Sequence, residues 1–306
     1  MHPALSVILF TTLSGTGYGL WLWLGLRIAL GPRAYDFEPI GWFFALLLGA
    51  VLTTIGIVAS LWHLGKPMRV WRAFSQWRTS WMSREGVTAV ATLFVAVLMV
   101  APLPIPHELA MRPLAALLVL CALGTICSTA MIYASLKPIP AWRHPLVLPG
   151  YIGFALLTGG LAFAALPQPT EVLRFALPAL LVLAIAMAAL KLAYWRAIDN
   201  SSLPQTRGDA IGLPNRKPSV FERPHTEANY LTKEMGFVVA RKHARKLRFF
   251  AVLLFTVVPV PCIALAIATS QPWPWLDIAA LGAICGAFLE RWLFFAQAKH
   301  LVTLYY

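Results

Sequence analysis

The feature that most constrains this chain is the recurrence of apolar runs long enough to cross a bilayer. A hydrocarbon core of about 30 Å needs roughly 20 consecutive apolar residues in a helix. Eight stretches come close to or meet that length, at about 3–26, 40–62, 86–102, 114–136, 146–166, 172–195, 249–268 and 276–298. Lipid offers no water to satisfy backbone N–H and C=O groups, so each run has to be helical. Composition agrees, with 59% hydrophobic and 12% charged residues and a mean hydropathy of +0.71, whereas soluble domains are about one quarter charged. The expected fold is an all-α integral membrane protein, one bundle of eight transmembrane helices. Met1-His2-Pro3 offers no basic n-region and the first run is a full span, so it is expected to stay as the first helix.

Charge sets the expected orientation, because basic loops stay cytoplasmic. The loops at 63–86, 137–145 and 196–248 hold five, two and eleven Lys and Arg residues, against only Arg27, Arg33, Arg112 and Arg174 on the other side. Both termini and the loop after the second run are therefore expected in the cytoplasm. Residues 197–247 form a basic loop, rich in Pro and Gly up to Pro224 and helical in pattern over 227–248, which is large enough to be a docking arm. The net charge of +13 fits loops that meet anionic headgroups and an acidic partner surface, and nothing points to nucleic acid.

Metal and haem chemistry find few candidates. Cys121, Cys127, Cys262 and Cys285 lie inside apolar runs with no C-x-x-C spacing, so no disulfide framework, zinc site or iron–sulfur ligand set is readable. His2, His63, His144, His225, His243 and His300 fall at the cytoplasmic side and His107 at the other. None lies near the midplane, as a bis-histidine haem stacked between helices would need; a haem near the cytoplasmic surface, for example on His63 and His300, stays open. Ser14, Gly15, Gly17 and Gly19 give the first helix a small-residue face suited to close packing, and Lys191 and Arg196 sit where they can snorkel. Glu290 and Arg291 can belong to a proton path or pair with groups on other helices; adjacent helical residues point about 100° apart and do not simply face each other, and the structural reading is favoured. A transporter would show broken helices and paired charges at midplane, and these runs are nearly free of charge there.

The stretch His63–Glu85, HLGKPMRVWRAFSQWRTSWMSRE, concentrates ionisable and aromatic residues between two spans. A quinone site needs a pocket at helix ends, a proton acceptor near neutrality and a path to water. His63 can bond a carbonyl oxygen and exchange its proton, Glu85 can pass that proton on, and Lys66 or Arg69 can offset negative charge. Trp71, Trp77 and Trp81 can stack on a ring. A helix cap beside an ordinary aromatic belt with snorkelling arginines uses the same residues.

The chain resembles the membrane anchor subunits of the dimethyl sulfoxide reductase type. The likeness is carried by HPALSVILFTTLSGTGYG, SLWHLGKPMRVWRA with SWMSREG, MIYASLKPIPAWRHP and FLERWLFFAQAKH, and by H-L-G-x-P-x-R with a glutamate 22 residues after its histidine. The resemblance implies a haem-free anchor in a bacterial inner membrane, with an iron–sulfur subunit linking a quinone site (ubiquinone or menaquinone) to a molybdopterin catalytic subunit. His63 and Glu85 carry over as the quinone pair and Gly65 and Arg69 as pocket positions, while Lys66, Trp71 and Trp77 are added from their position. A cytoplasmic loop is similar to anchors of cytoplasm-facing sulfite-oxidising complexes, so sulfite oxidation with quinone reduction is expected. The alternatives are a quinol-oxidising anchor of a reductase for dimethyl sulfoxide or another S- or N-oxide, and an assembly anchor without quinone chemistry.

Overall fold

The computed structural model describes residues 4–31, 39–62, 66–101, 107–201, 203–219, 221–222, 243–269 and 272–304. Among them every regular element is helical, and eight helices are long and apolar enough to cross a membrane. They are α1 (Leu5–Leu30), α2 (Pro39–Leu61), α3 (Trp81–Leu98), α4 (His107–Ala134), α5 (Val147–Ala164), α6 (Thr170–Asn200), α7 (Ala244–Ala268) and α8 (Trp275–Ala296). A 3-10 segment, Pro67–Gln76, precedes α3. Within α7 the ladder widens to a π turn at Leu253–Val257, just ahead of Pro259, whose missing N–H interrupts regular helical bonding.

Several boundaries differ from those read in the sequence. The third helix starts at Trp81 rather than Gly86, because Ser80 is an N-cap that accepts the Ser83 N–H at 3.5 Å. Glu85 therefore lies inside the helix, in its second turn. The sixth helix continues past Trp195 to Asn200, which places Lys191 well inside it, and the seventh begins at Ala244 rather than Phe249. His2, His63, Gly65, His225 and residues 223–242 of the arm lie outside the described residues.

Hydrocarbon gives helices no apolar drive to associate, so close approach and interhelical hydrogen bonds have to hold the bundle. The central helix is α1, which packs against α2, α4, α5 and α8. Its Gly19 meets the backbone of Ala155 on α5, and Gly159 of α5 meets Gly19 and Leu20 in return, so closely that neither position has room for a Cβ. Indole N–H groups tie the same helix outward, from Trp21 to the Leu46 carbonyl at 3.2 Å and from Trp23 to the Leu156 carbonyl at 2.9 Å. Thr16 and Thr158 pair across the α1–α5 seam at 3.0 Å. By contrast, α3 packs chiefly on α4 and leaves Val90, Phe94 and Val97 exposed, as suits a helix at the lipid boundary.

At the loop end of the bundle, Trp142 from the 135–146 connection inserts among Tyr133, Phe294 and Phe295 and donates to the Phe294 carbonyl at 3.0 Å. The 3-10 turn Leu301–Leu304 joins it there through a Leu301 N–H to Pro138 carbonyl bond of 3.0 Å.

Candidate functional site

The turn leading into α3 is fastened to that helix at three points. Ser83, 2% exposed, donates to the Ala73 carbonyl. Arg84 donates from Nε to the Trp77 carbonyl at 3.0 Å and from Nη2 to the Arg78 carbonyl at 2.6 Å, with its guanidinium 4.2 Å from the Trp81 ring. Phe74 lies over Gly86, where a Cβ would come within 3.2 Å of its ring. The turn thus forms a cap over the start of α3.

Glu85 is the next residue along and points the other way, into the bundle. Its carboxylate accepts a hydrogen bond from the Thr129 hydroxyl of α4, and Tyr18, Tyr133 and Tyr151 lie within electrostatic reach of it. Among the described residues no basic side chain forms an ion pair with Glu85, whose carboxyl is bonded by the Thr129 hydroxyl, and the residue as a whole is half-buried.

A second charged group lies deeper. Lys191 of α6, Glu290 and Arg291 of α8 are 3%, 0% and 3% exposed. Lys191 pairs with Glu290 Oε1, and Arg291 donates to Glu290 Oε2 from Nε and Nη2, each at 2.7 Å. The expectation that neighbouring Glu290 and Arg291 do not face each other is corrected here. Their Cβ directions do diverge, but the Arg side chain is long enough to fold back onto its neighbour. Aromatic faces complete the shell, with Lys191 Nζ 4.0 Å from the Tyr194 ring and the Arg291 guanidinium 4.0 Å from that of Tyr151.

Between these two groups is a cavity of about 20 Å³, walled by Thr11, Thr12, Thr16, Tyr18, Thr129, Tyr151 and Arg291 among others. At the loop face His144 sits with its ring 5.5 Å from Tyr194 and accepts the Leu146 N–H on Nδ1 at 3.2 Å. Burial, and then the charge of Lys191, hold His144 below the ordinary histidine value; burial does the same to His300, whose Nδ1 accepts the Val302 N–H at 3.0 Å.

Of the residues singled out from sequence, Glu85 is placed as a buried-facing acid, and His63 and Gly65 lie outside the described residues. Lys66 and Arg69 are exposed, and Trp71 and Trp77 are 64% and 53% exposed on the outer side of the cap, each under an arginine, Arg72 at 5.4 Å and Arg78 at 5.5 Å. The arrangement resembles a membrane-interface belt more than a closed ring-stacking slot. Thr129, Tyr133 and Tyr151 carry no signal in the sequence, since hydroxyls and rings inside apolar runs look alike until folding brings them near Glu85. A haem on His63 and His300 involves a residue that is not described, and among the described residues no three His, Cys, Asp or Glu side chains gather as a metal site.

Known proteins resemble the chain over its length. The family described as "DMSO reductase anchor subunit (DmsC)" matches residues 1–297. A sulfite dehydrogenase subunit of Allochromatium vinosum is 33% identical in an alignment that covers 100% of this chain and 99% of that protein.

Proposed function

The chain belongs to the family of DMSO reductase anchor subunits, and from that membership we propose that it is the quinone-reactive subunit of a molybdopterin oxidoreductase complex that oxidises sulfite and reduces quinone. Its membership makes it a multi-pass membrane anchor of an oxidoreductase complex, with catalysis and electron transfer shared with partner subunits. The finer reading assigns those partners as an iron–sulfur subunit and a molybdopterin subunit. Full-length likeness to a sulfite dehydrogenase subunit supports the substrate. The basic loops support a cytoplasmic position for the Glu85 end of the bundle, in an inner membrane.

The observation that carries the reading is the Glu85 carboxyl, bonded among the described residues by the Thr129 hydroxyl inside an apolar helix pair and backed by a cavity that Thr129 and Tyr18 line. The described residues fit a quinone, since an acid and a hydroxyl stand together where α3 meets α4 near a helix end at the lipid boundary. A bound quinone supplies two-electron, two-proton chemistry; sulfite and water give sulfate, two protons and the two electrons. Glu85 holds a proton next to the ring oxygen and gives it up there, while Thr129 orients the carboxyl by its hydrogen bond. The cap pinned by Ser83 and Arg84 excludes water from directly above. His63 would hydrogen-bond a ring oxygen, as its place in the family's H-L-G-x-P-x-R run implies.

The test is sulfite-dependent quinone reduction in membranes that hold the whole complex, with His63→Ala and Glu85→Gln alongside. Both variants are expected to keep their partners and to oxidise sulfite with a soluble artificial acceptor, but to lose quinone reduction. Unchanged quinone reduction in both would leave an assembly anchor. Activity only with quinol and dimethyl sulfoxide would reverse the direction of electron flow.

A further inference from the structure

The function above uses Glu85, whereas the bundle interior also buries Lys191, Glu290 and Arg291. Two cations against one carboxylate leave that deeper cluster with an excess positive charge, which is costly in a low-dielectric interior. An ionised Glu85 balances it. The two acids lie at opposite ends of one aromatic bridge, because Tyr133 stacks on Tyr151 at 6.0 Å and Arg291 sits over the Tyr151 ring at 4.0 Å. Neutrality then makes the two ends interdependent, so that a proton gained at Glu85 favours a proton lost at Lys191.

A physical link also exists. The cavity between them has both Thr129 and Arg291 in its wall. Thr12 Oγ1 is buried there without a hydrogen-bond partner among the described residues, and the Tyr151 hydroxyl and the Arg291 guanidinium, bonded to each other, border the same space. A volume of about 20 Å³ with several such groups is enough for one water, which needs about 10–15 Å³ and two to four polar partners. On its far side, Lys191 faces Glu290 and Arg291 of α8, Tyr194 and Trp195 of its own helix, and Arg248 of α7. Tyr194 in turn contacts His144 at the loop face.

We propose that Lys191, held by Glu290 and Arg291, is a proton-exchange site coupled to Glu85 through water in the threonine- and tyrosine-lined cavity, and that it opens to the loop face beside His144. The proposal rests on the quinone reading above. When Glu85 gives its proton to the quinone oxygen, with the two electrons coming from the iron–sulfur partner, the Thr129 hydroxyl passes a proton to the carboxylate and takes one from the cavity water. Lys191 stands behind the cavity wall, so its ammonium restores the water through Glu290, its ion-pair partner, and the Tyr151 hydroxyl in the wall, and the neutral amine regains its proton from solvent beside His144. Lys191 thus supplies protons without touching the quinone.

Lys191→Arg separates this role from a structural one, because arginine keeps the positive charge and the Glu290 partner but does not give up a proton. The measurement is quinone-linked turnover of the whole complex from pH 6 to 9, in light and heavy water, with the affinity for a quinol analogue determined in parallel. Lys191→Arg is expected to keep its partner subunits and its analogue affinity while turnover falls on the order of tenfold or more and the solvent isotope effect rises. Tyr151→Phe keeps the ring under Arg291 and should show the same pattern more weakly. If Lys191→Arg matches wild type in rate, pH profile and isotope effect, or if both variants merely lose assembly, the proposal is overturned and the cluster is structural. If Glu85→Gln also turns over normally, the quinone reading itself has failed.

Discussion

Glu85 and Glu290 are both acids a few residues from the loop-side ends of their helices, yet they are held in opposite ways. Glu290 has a cation on each oxygen and no exposure to solvent. Glu85 has a threonine hydroxyl and partial exposure. The difference follows from the helices that carry them. Packed against α1, α5 and α7, α8 presents Glu290 to the bundle centre, whereas α3 lies at the lipid boundary and presents Glu85 to a seam with α4. A carboxylate clamped by two cations is fixed in place by both of its oxygens; one bonded by a hydroxyl is held far less tightly.

The largest effect should come from breaking the clamp. Glu290→Ala leaves two buried cations without a counter-charge, at a cost of about 3–5 kcal/mol, and should appear as loss of the folded anchor from membranes, read by thermal stability of the solubilised complex. Glu85→Gln is isosteric and costs little folding energy, but should lower quinone-linked turnover on the order of 100-fold while the complex stays assembled. Thr129→Val sharpens the comparison by removing one hydrogen bond of about 1 kcal/mol. It should slow turnover several-fold at a stability cost no larger than that bond, with the complex still assembled.

The smallest effect concerns pH. His144 and His300 have their proton affinities lowered in the folded state, so the folded form disfavours protonation. Their contribution to stability is complete above the ordinary histidine value of about 6.5 and declines as pH falls below it. The melting temperature should drop on acidification from pH 7 to 5, and His144→Gln should remove about 1–2 °C of that drop.

The architecture was legible because bilayer thickness and backbone hydrogen bonding leave a long apolar run one option. Glu85 stood out in the sequence by its place beside a span, and the structure puts it inside α3 with its carboxyl toward α4. The start of its helix was read late because Arg84 and Glu85 look like loop residues, although Ser80 followed by Trp81 already carried a capping signal. The partners of Glu85 were not legible. Thr129 lies 44 residues away and reads as one more threonine in an apolar run. Lys191 looked like a snorkelling residue because its helix appeared to end at Trp195. Only the extension of α6 to Asn200 and the packing of α8 against the core bring Lys191 and Glu290 together.

The polar face of α1 bears on how this protein is made. In chain order α1 leaves the ribosome well before α5 and α8, the helices that cover Thr12, Thr16 and their neighbours. While it waits beside the translocon, most of those hydroxyls are already satisfied within the helix: Thr11 donates to Val7, Ser14 to Phe10 and Thr16 to Thr12, at 2.9, 2.6 and 2.8 Å. Thr12 is the exception. Its hydroxyl is enclosed only when the late-arriving α5 and α8 close the cavity wall around it, so the last polar group of the first helix is buried by the last steps of assembly.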